Sequence, residues 1–266
     1  MFTAGIDVGS VAAKAVIFHG ASRSMAGSAV LPTGWNTREA GERALDAACG
    51  QAGVNRADLA RIVATGYGRI ALPFAHKTVT EITCHARGAS WLFPGSGVVL
   101  DIGGQDSKAV SLDENGGVRD FVMNDKCAAG TGRFLQVLAG ILGMPLDELG
   151  KAAAEGKPVP ISSMCAVFAE TEIVGLLAQG TPPADLAAGV FVSIARRMRG
   201  LARRISFTGQ CVFTGGMAAS PAFCNFLSRE LEIPVRVPDE PQLTGALGAA
   251  LLAAHQLEKQ QCAWSI

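Results

Sequence analysis

The sequence contains two copies of a motif in which a strand, a glycine turn and a second strand follow one another, and this repeat limits the possible folds more than any other feature. The first copy is GIDVGSVAAKAVIF at residues 5–18, and the second is VVLDIGGQDSKAV at residues 98–110. Each apolar run breaks at glycine and then resumes, which is typical of a tight turn between two strands. In both copies an aspartate and a lysine stand seven residues apart. The repeat therefore predicts an α/β fold with two similar lobes.

The two glycine turns are predicted to bind a nucleotide together. Glycine lets backbone N–H groups approach an anion closely, and the polar residues after Gly104 can orient water or phosphate oxygens. Mg2+ usually takes one or two carboxylates and keeps several waters, so the aspartates are predicted to hold it directly or through water. Two ordinary hairpins are the alternative, which the matched spacing disfavours. Asp7 and Asp101 would bind Mg2+, and Gln105 or Asp106 would position the attacking water. The residues of the turns that are predicted to bind the nucleotide are Asp7, Gly9, Ser10, Ala12, Lys14, Asp101, Gly103, Gly104, Gln105 and Asp106.

A third glycine pair extends this pattern. The stretch QCVFTGG at residues 210–216 predicts a buried strand that ends in Gly215 and Gly216, where an adenosine could lie flat against the backbone, and Gly245 is predicted to border the same adenosine. Taken in this order, the three turns resemble those of the ATPase superfamily of sugar kinases, actin and heat-shock chaperones. The resemblance implies an actin-like, ribonuclease H-like fold with ATP or ADP in a cleft between two lobes. No GxxxxGK[ST] loop is present.

The length, composition and charge set the remaining limits. The 266 residues suffice for two modest lobes, predicted at residues 1–96 and 97–266, with a helix from about residue 243 that can pack back on the first. The longest apolar stretch, residues 245–254, is half of the about 20 residues that span a membrane, so it predicts a packed helix. A strand begins within four residues of the N-terminus, which argues against a secretion signal and favours the cytoplasm. With 23 acidic and 23 basic residues, the charge does not favour nucleic acid.

Two of the seven cysteines lie where a metal cluster is possible. Cys127 precedes an apolar helix predicted at residues 134–142, and Cys165 is predicted to begin another helix. A helix N-terminus favours a thiolate, and its N–H groups suit a sulfur-ligated cluster. A cluster or a zinc ion needs about four ligands, so a twofold axis that relates two chains would complete the set. The spacing leaves open the alternative that both are small buried hydrophobic residues.

Two further features have a structural and a functional interpretation. Cys84 and His85 are neighbours on a helix predicted at residues 81–93, where they lie on different faces, so packing is favoured over a shared metal. Five arginines between residues 196 and 204 lie near the end of a long predicted helix. They suit a solvated face that complements the helix dipole, and a docking surface is the alternative.

Over nearly the whole chain, from Gly5 to about Ala254, the sequence resembles the activator ATPases of 2-hydroxyacyl-CoA dehydratases, relatives of the benzoyl-CoA reductase ATPase subunits. The resemblance implies a homodimer that holds one 4Fe-4S cluster through Cys127 and Cys165. It further implies ATP-driven electron transfer to a dehydratase-like or reductase-like enzyme, with ferredoxin or flavodoxin as donor, and helices whose mutual angle follows the nucleotide state. The strings that carry it are GIDVGSVAAKAVIF, ATGYGR, LDIGGQDSKA, NDKCAAGTGRFL, ISSMCAVFAETE, VFTGG and TGALGAA.

Two other functions suit the same fold. A small-molecule kinase, such as a sugar kinase, would need a substrate pocket and no cluster. A non-catalytic nucleotide switch of the actin or chaperone kind would form polymers or bind clients. Iron and sulfide in the protein distinguish the activator from the kinase, and the size of the protein with and without ATP distinguishes it from the switch.

Overall fold

The computed structural model describes residues 1–124, 128–162 and 165–263. The strands in these ranges are Phe2–Val8 (β1), Ala12–His19 (β2), Ser24–Pro32 (β3), Leu59–Thr65 (β4), Lys77–Thr78 (β5), Ser96–Ile102 (β6), Ser107–Leu112 (β7), Val118–Asn124 (β8), Gln210–Gly215 (β9) and Val235–Arg236 (β10). The α-helices are Thr37–Ala52 (α1), Glu81–Leu92 (α2), Gly132–Leu142 (α3), Leu146–Glu155 (α4), Ala166–Ala178 (α5), Pro183–Ala202 (α6), Pro221–Leu231 (α7) and Thr244–Ala263 (α8).

The strands form two five-stranded sheets with the same internal order. The first sheet runs β3-β2-β1-β4-β5 and the second, read in the matching direction, runs β8-β7-β6-β9-β10. In the first sheet β1 pairs antiparallel with β2 and parallel with β4. In the second sheet β6 pairs antiparallel with β7. The duplication predicted from the glycine turns is therefore confirmed in the order of the strands.

The chain divides into two compact units. The first contains Met1–Ser96, Leu112–Arg119 and the residues from Gln242 onward, and the second contains Gly97–Ser111 and Asp120–Pro241. The core of the first unit lies between its sheet, α1 and α8. The core of the second lies between β6, β9 and the helices α3 to α7.

Small residues allow α8 to lie directly on the first sheet. A Cβ at Gly5 of β1 would fall 2.0 Å from the Ala246 carbonyl oxygen, so only glycine permits this approach. The same close packing joins α8 to α2, since a Cβ at Gly248 would fall 1.8 Å from the Cys84 carbonyl oxygen. The Ala- and Gly-rich stretch predicted to be a packed helix is one, and it fixes the position of α2 relative to β1.

Asn36 is the N-cap of α1, because its side-chain oxygen accepts from the Glu39 N–H. Thr37, the next residue, begins the helix. Both residue types are good caps, so the sequence alone does not choose between neighbours. Within the described ranges, none of the helices has the length and apolarity needed to cross a membrane.

Candidate functional site

The first glycine turn sits beside a buried ion pair. Asp7 on β1 and Lys14 on β2 are direct partners across the hairpin, which is the physical reason for their spacing in the sequence. The Lys14 ammonium donates to Asp7 Oδ2 over 3.0 Å, and the two side chains are 16% and 2% exposed. The turn closes where the Gly9 N–H donates to the Ala12 carbonyl over 3.0 Å. Thr33 Oγ1 braces it by donating to the Gly9 carbonyl over 2.8 Å.

The second turn repeats this arrangement in the second unit. Asp101 and Lys108 are again cross-strand partners, and Lys108 Nζ lies 3.4 Å from Asp101 Oδ2. The same ammonium lies 2.8 Å from Asp106 Oδ1, so a fully buried lysine holds the turn carboxylate as well as the strand carboxylate. The Gly103 N–H closes the turn on the Asp106 carbonyl over 2.9 Å.

A Thr-Gly pair ends the neighbouring strand in both units, at residues 65–66 and 214–215. Gly66 and Gly215 both have positive φ, at 82° and 91°. A Cβ on Gly66 would fall 2.3 Å from Asp7 Oδ1, and a Cβ on Gly215 would fall 2.9 Å from Asp101 Oδ1. Each strand-end aspartate is therefore packed against a glycine backbone. The repeated Thr-Gly pair is the sequence signal of this contact.

Gly66→Ala is expected to lower the free energy of unfolding by about 1–3 kcal/mol, because a left-handed backbone strains a side chain. It is also expected to slow ATP hydrolysis, since the new Cβ displaces the Asp7 carboxylate. Urea unfolding and a phosphate-release assay measure the two effects. Gly50→Ala is the control, because a Cβ there meets open space on α1 and adds helix propensity. Wild-type stability and wild-type turnover in the Gly66→Ala protein would contradict this account of the turn.

The residues around Asp7 fit a bound cation. In the part of the chain that the structure describes, Asp7 Oδ1 is a buried oxygen without a hydrogen-bond partner. A buried, unpaired carboxylate oxygen is costly unless a ligand or water completes its contacts. Mg2+ with its waters is a ligand of this kind.

The other predicted nucleotide residues occupy more varied surroundings. Ser10 is half-buried in the first turn, and Gln105 is exposed in the second. A Cβ on Gly216 would meet open space, whereas a Cβ on Gly245 would lie 3.1 Å from Asp7 Oδ2 and 2.9 Å from His85 Nε2. Gly245 thus lies beside both the Asp7 carboxylate and His85, a histidine that was predicted to serve packing.

The second glycine turn is hydrogen-bonded to the start of α3. The Gly132 N–H donates to the Gly103 carbonyl over 2.9 Å, and the Arg133 N–H donates to the Gly104 carbonyl over 3.0 Å. These amides belong to the first turn of the helix, where donors lack intrahelical partners. Nearby, Ser107 Oγ donates to the Gly130 carbonyl. A displacement of the turn would therefore change the hydrogen bonds at the N-terminus of α3.

Of the two candidate cluster ligands, Cys165 is described and Cys127 lies outside the described residues. Cys165 is the N-cap residue of α5, as predicted, and its side chain is exposed. It borders a cavity of about 500 Å3 that Arg197 and Arg204 also line. α5 packs against α3, so the helix that begins at Cys165 touches the helix that is bonded to the second turn.

The other described cysteines are poor candidates for metal ligands. Burial raises the pKa of the Cys84 and Cys211 thiols to about 12 and that of Cys224 to about 11. Burial also raises the pKa of the Cys49 thiol. Metals bind the thiolate form, so burial disfavours these four thiols as ligands compared with the exposed Cys165.

The arginine cluster at the end of α6 is partly neutralised. Arg196 Nε and Arg199 Nη1 lie 3.1 Å and 2.9 Å from the two carboxylate oxygens of Glu230. Surface ion pairs of this kind contribute little stability.

Two lobes with one strand order, each with a buried Asp-Lys pair beside a glycine turn, define an actin-like ATPase. The BadF/BadG/BcrA/BcrD ATPase family matches residues 4–253, and the chain belongs to this family. It is 41% identical over 262 residues to a 2-hydroxyisocaproyl-CoA dehydratase activator of Clostridioides difficile, covering 98% of each chain. It is 43% identical over 262 residues to an activator of lactoyl-CoA dehydratase of Anaerotignum propionicum, covering 98% of this chain and 100% of the relative. The solved structure of the Clostridium difficile activator with bound ADPNP superposes with a TM-score of 0.93 over 98% of this chain and 97% of the other, at 41% identity.

Proposed function

We propose that this ATPase is an activator that couples ATP hydrolysis to low-potential electron transfer into a partner enzyme that resembles a 2-hydroxyacyl-CoA dehydratase or a benzoyl-CoA reductase. The observation that carries the proposal is the pair of hydrogen bonds from the start of α3 to the second glycine turn. Those bonds connect the proposed phosphate-binding turn directly to α3, the helix that follows Cys127 in the chain. A plain sugar kinase has no need of such a route.

In this proposal the turn residues bind and hydrolyse ATP. Asp7 and Asp101 hold Mg2+ directly or through its waters, and the amides at Gly9, Ser10, Gly103 and Gly104 bind phosphate oxygens. Lys108 holds Asp106 by an ion pair, so the exposed Gln105 is the better placed of the two to orient the attacking water. Water adds to the γ-phosphorus as the bond to ADP breaks, and phosphate leaves. The glycines Gly215, Gly216 and Gly245 border the rest of the nucleotide.

Loss of the γ-phosphate changes the contacts of the second turn. Because its Gly103 and Gly104 carbonyls accept from the α3 amides, a shift of the turn tilts α3. α5 packs on α3 and follows it. The helices that begin beside the two cysteines thereby change their mutual angle with the nucleotide state.

Cys127 and Cys165 of each chain are the proposed ligands of one 4Fe-4S cluster on the axis of a homodimer. Cys165, the ligand that the structure describes, fits this role, because its thiol is exposed at a helix N-terminus, where N–H dipoles stabilise sulfur ligands. When bound by these cysteines, the cluster would supply one electron at low potential. α5 also exposes apolar side chains that a second chain could cover, namely Val167, Phe168 and Val174. Ferredoxin or flavodoxin is the proposed electron donor.

The proposal is tested by separating ATP hydrolysis from activation. Gly132→Ala places a Cβ 3.3 Å from the Gly103 carbonyl oxygen, which strains the link between turn and helix. We expect this protein to hydrolyse ATP but to activate less dehydratase per ATP consumed. The assay uses anaerobic protein, reduced ferredoxin and the 2-hydroxyisocaproyl-CoA dehydratase of Clostridioides difficile, and it records ATP consumed and dehydration rate together.

Gly140→Ala on the same helix is the matched control, because its Cβ would meet open space. Equal coupling in the Gly132→Ala and Gly140→Ala proteins would remove the proposed route. Failure of the wild-type protein to activate any dehydratase, together with phosphorylation of a sugar, would favour the kinase. Polymers that form with ATP would favour the switch.

A further inference from the structure

A group of three candidate metal ligands lies within the first unit. Asp7, Glu81 and His85 each present one ligand atom, and these atoms all lie within 4.8 Å of one another. His85 Nε2 is 3.7 Å from Glu81 Oε1. Two ligands of one ion, each about 2.1 Å from it, lie at most about 4.2 Å apart. The histidine and glutamate are thus at a suitable separation, and a ligand atom of Asp7 lies within 4.8 Å of both.

An independent observation indicates a cation at this place. Asp7 is 1% exposed, and Lys14 donates to its Oδ2. Its Oδ1 has no hydrogen-bond partner among the described residues. The structure thus buries a carboxylate oxygen that a bound cation or its water would satisfy.

The three residues stand on elements that are packed tightly together. Glu81 and His85 are one helical turn apart on the same face of α2. Glycine contacts hold α2 on α8, as at Gly88, where a Cβ would lie 2.1 Å from the Thr244 carbonyl oxygen. Gly245 at the start of α8 leaves open the space beside both His85 Nε2 and Asp7 Oδ2. Ligands carried by packed helices and strands keep their separation, as a metal site requires.

We propose that Asp7, Glu81 and His85 form a divalent-cation site that prefers a first-row transition ion over Mg2+. An imidazole nitrogen is a good ligand for transition ions, whereas Mg2+ demands oxygen ligands and sheds its waters reluctantly. The inference rests on the proposed nucleotide site, since Asp7 is common to both. It adds Glu81 and His85 to that site as ligands, so a transition ion would compete there with the Mg2+ that Asp7 is proposed to hold.

The test uses Mn2+ alone as the probe, on full-length protein freed of nucleotide. Loss of the free Mn2+ EPR signal measures binding, and pulsed EPR measures nitrogen coupling to the bound ion. We expect wild-type protein to bind Mn2+ and to show nitrogen coupling to the bound ion. Added Mg2+ should not readily displace this Mn2+. In the His85→Gln protein the coupling should vanish and affinity should fall by about 10–100-fold. Glu81→Gln should weaken binding but keep the coupling.

His255→Gln is the matched control, since His255 Nδ1 lies 3.8 Å from Glu258 Oε2 on α8 in an exposed pair. This protein should bind Mn2+ as the wild type does. Absence of Mn2+ binding, absence of nitrogen coupling, or unchanged coupling in the His85→Gln protein would each overturn the inference. ATP hydrolysis and dehydratase activation with Mg2+ are measured in the same samples. If the wild-type protein activates the dehydratase but shows no nitrogen coupling to Mn2+, only the metal-site inference is wrong. If it shows the coupling but activates no dehydratase, only the activator proposal is wrong.

Discussion

Replacing Asp101 by asparagine is expected to lower ATP hydrolysis by about 100-fold or more, the scale on which loss of one charge-stabilising group acts in a preorganised site. The carboxylate is 2% exposed, accepts from Thr214 Oγ1 over 2.8 Å and faces the Lys108 ammonium. The amide oxygen of asparagine can keep the Thr214 bond. Its NH2 group, however, brings no negative charge to Mg2+ or to Lys108. Phosphate release under saturating Mg2+ and ATP measures the loss.

The cluster spectrum should be unchanged in the Asp101→Asn protein, because in our proposal the carboxylate serves Mg2+ and phosphate. Asp120→Asn is the control, since Asp120 lies exposed on β8 in the same unit and accepts from the neighbouring Phe121 N–H. Normal hydrolysis by the Asp101→Asn protein would remove the second glycine turn from the active site.

Cys165→Ala is expected to empty the proposed cluster site. In the proposed homodimer each chain supplies two cysteine ligands, so one substitution removes two of the four ligands at once. Iron analysis of anaerobic protein should give about four irons per two wild-type chains and almost none in the variant. Activation of the dehydratase should be lost with the iron. Cys127→Ala should behave in the same way. Four irons per single chain, or full iron in the Cys165→Ala protein, would disprove the bridging site.

Cys224→Ala is the matched control for the iron analysis. Cys224 lies in the same unit, near the start of α7, but its thiol donates to the Ala218 carbonyl and burial raises its pKa to about 11. To ligate iron, Cys224 would have to lose its proton and its hydrogen bond in a setting that disfavours the thiolate. Iron should therefore remain at the wild-type level in this protein.

The sequence predicted the features that depend on local pattern. The spacing of Asp7 to Lys14 and of Asp101 to Lys108 carried the duplication, because residues seven apart become partners when a short turn joins two antiparallel strands. The start of α5 at Cys165 was likewise predicted from its local sequence.

The sequence could not predict contacts that depend on how distant elements pack. His85 was predicted to serve packing because the adjacent Cys84 lies on a different face of the helix. α8, about 160 residues later in the chain, brings Gly245 beside it, and β1 brings Asp7. The bonds from Gly132 and Arg133 to the second turn are equally invisible, since backbone donors and acceptors carry no side-chain signature. Cys127, the other proposed cluster ligand, remains a prediction from the family resemblance.

The hydrogen bonds between the second turn and α3 transmit force in both directions. If the nucleotide state biases the angle of α3, then anything that holds α3 at one angle must bias nucleotide affinity by the same factor, since coupling free energies are reciprocal. A docked partner enzyme that prefers the ATP-bound angle would therefore raise the affinity of its activator for ATP. Such a partner would act as a nucleotide effector as well as the proposed electron acceptor.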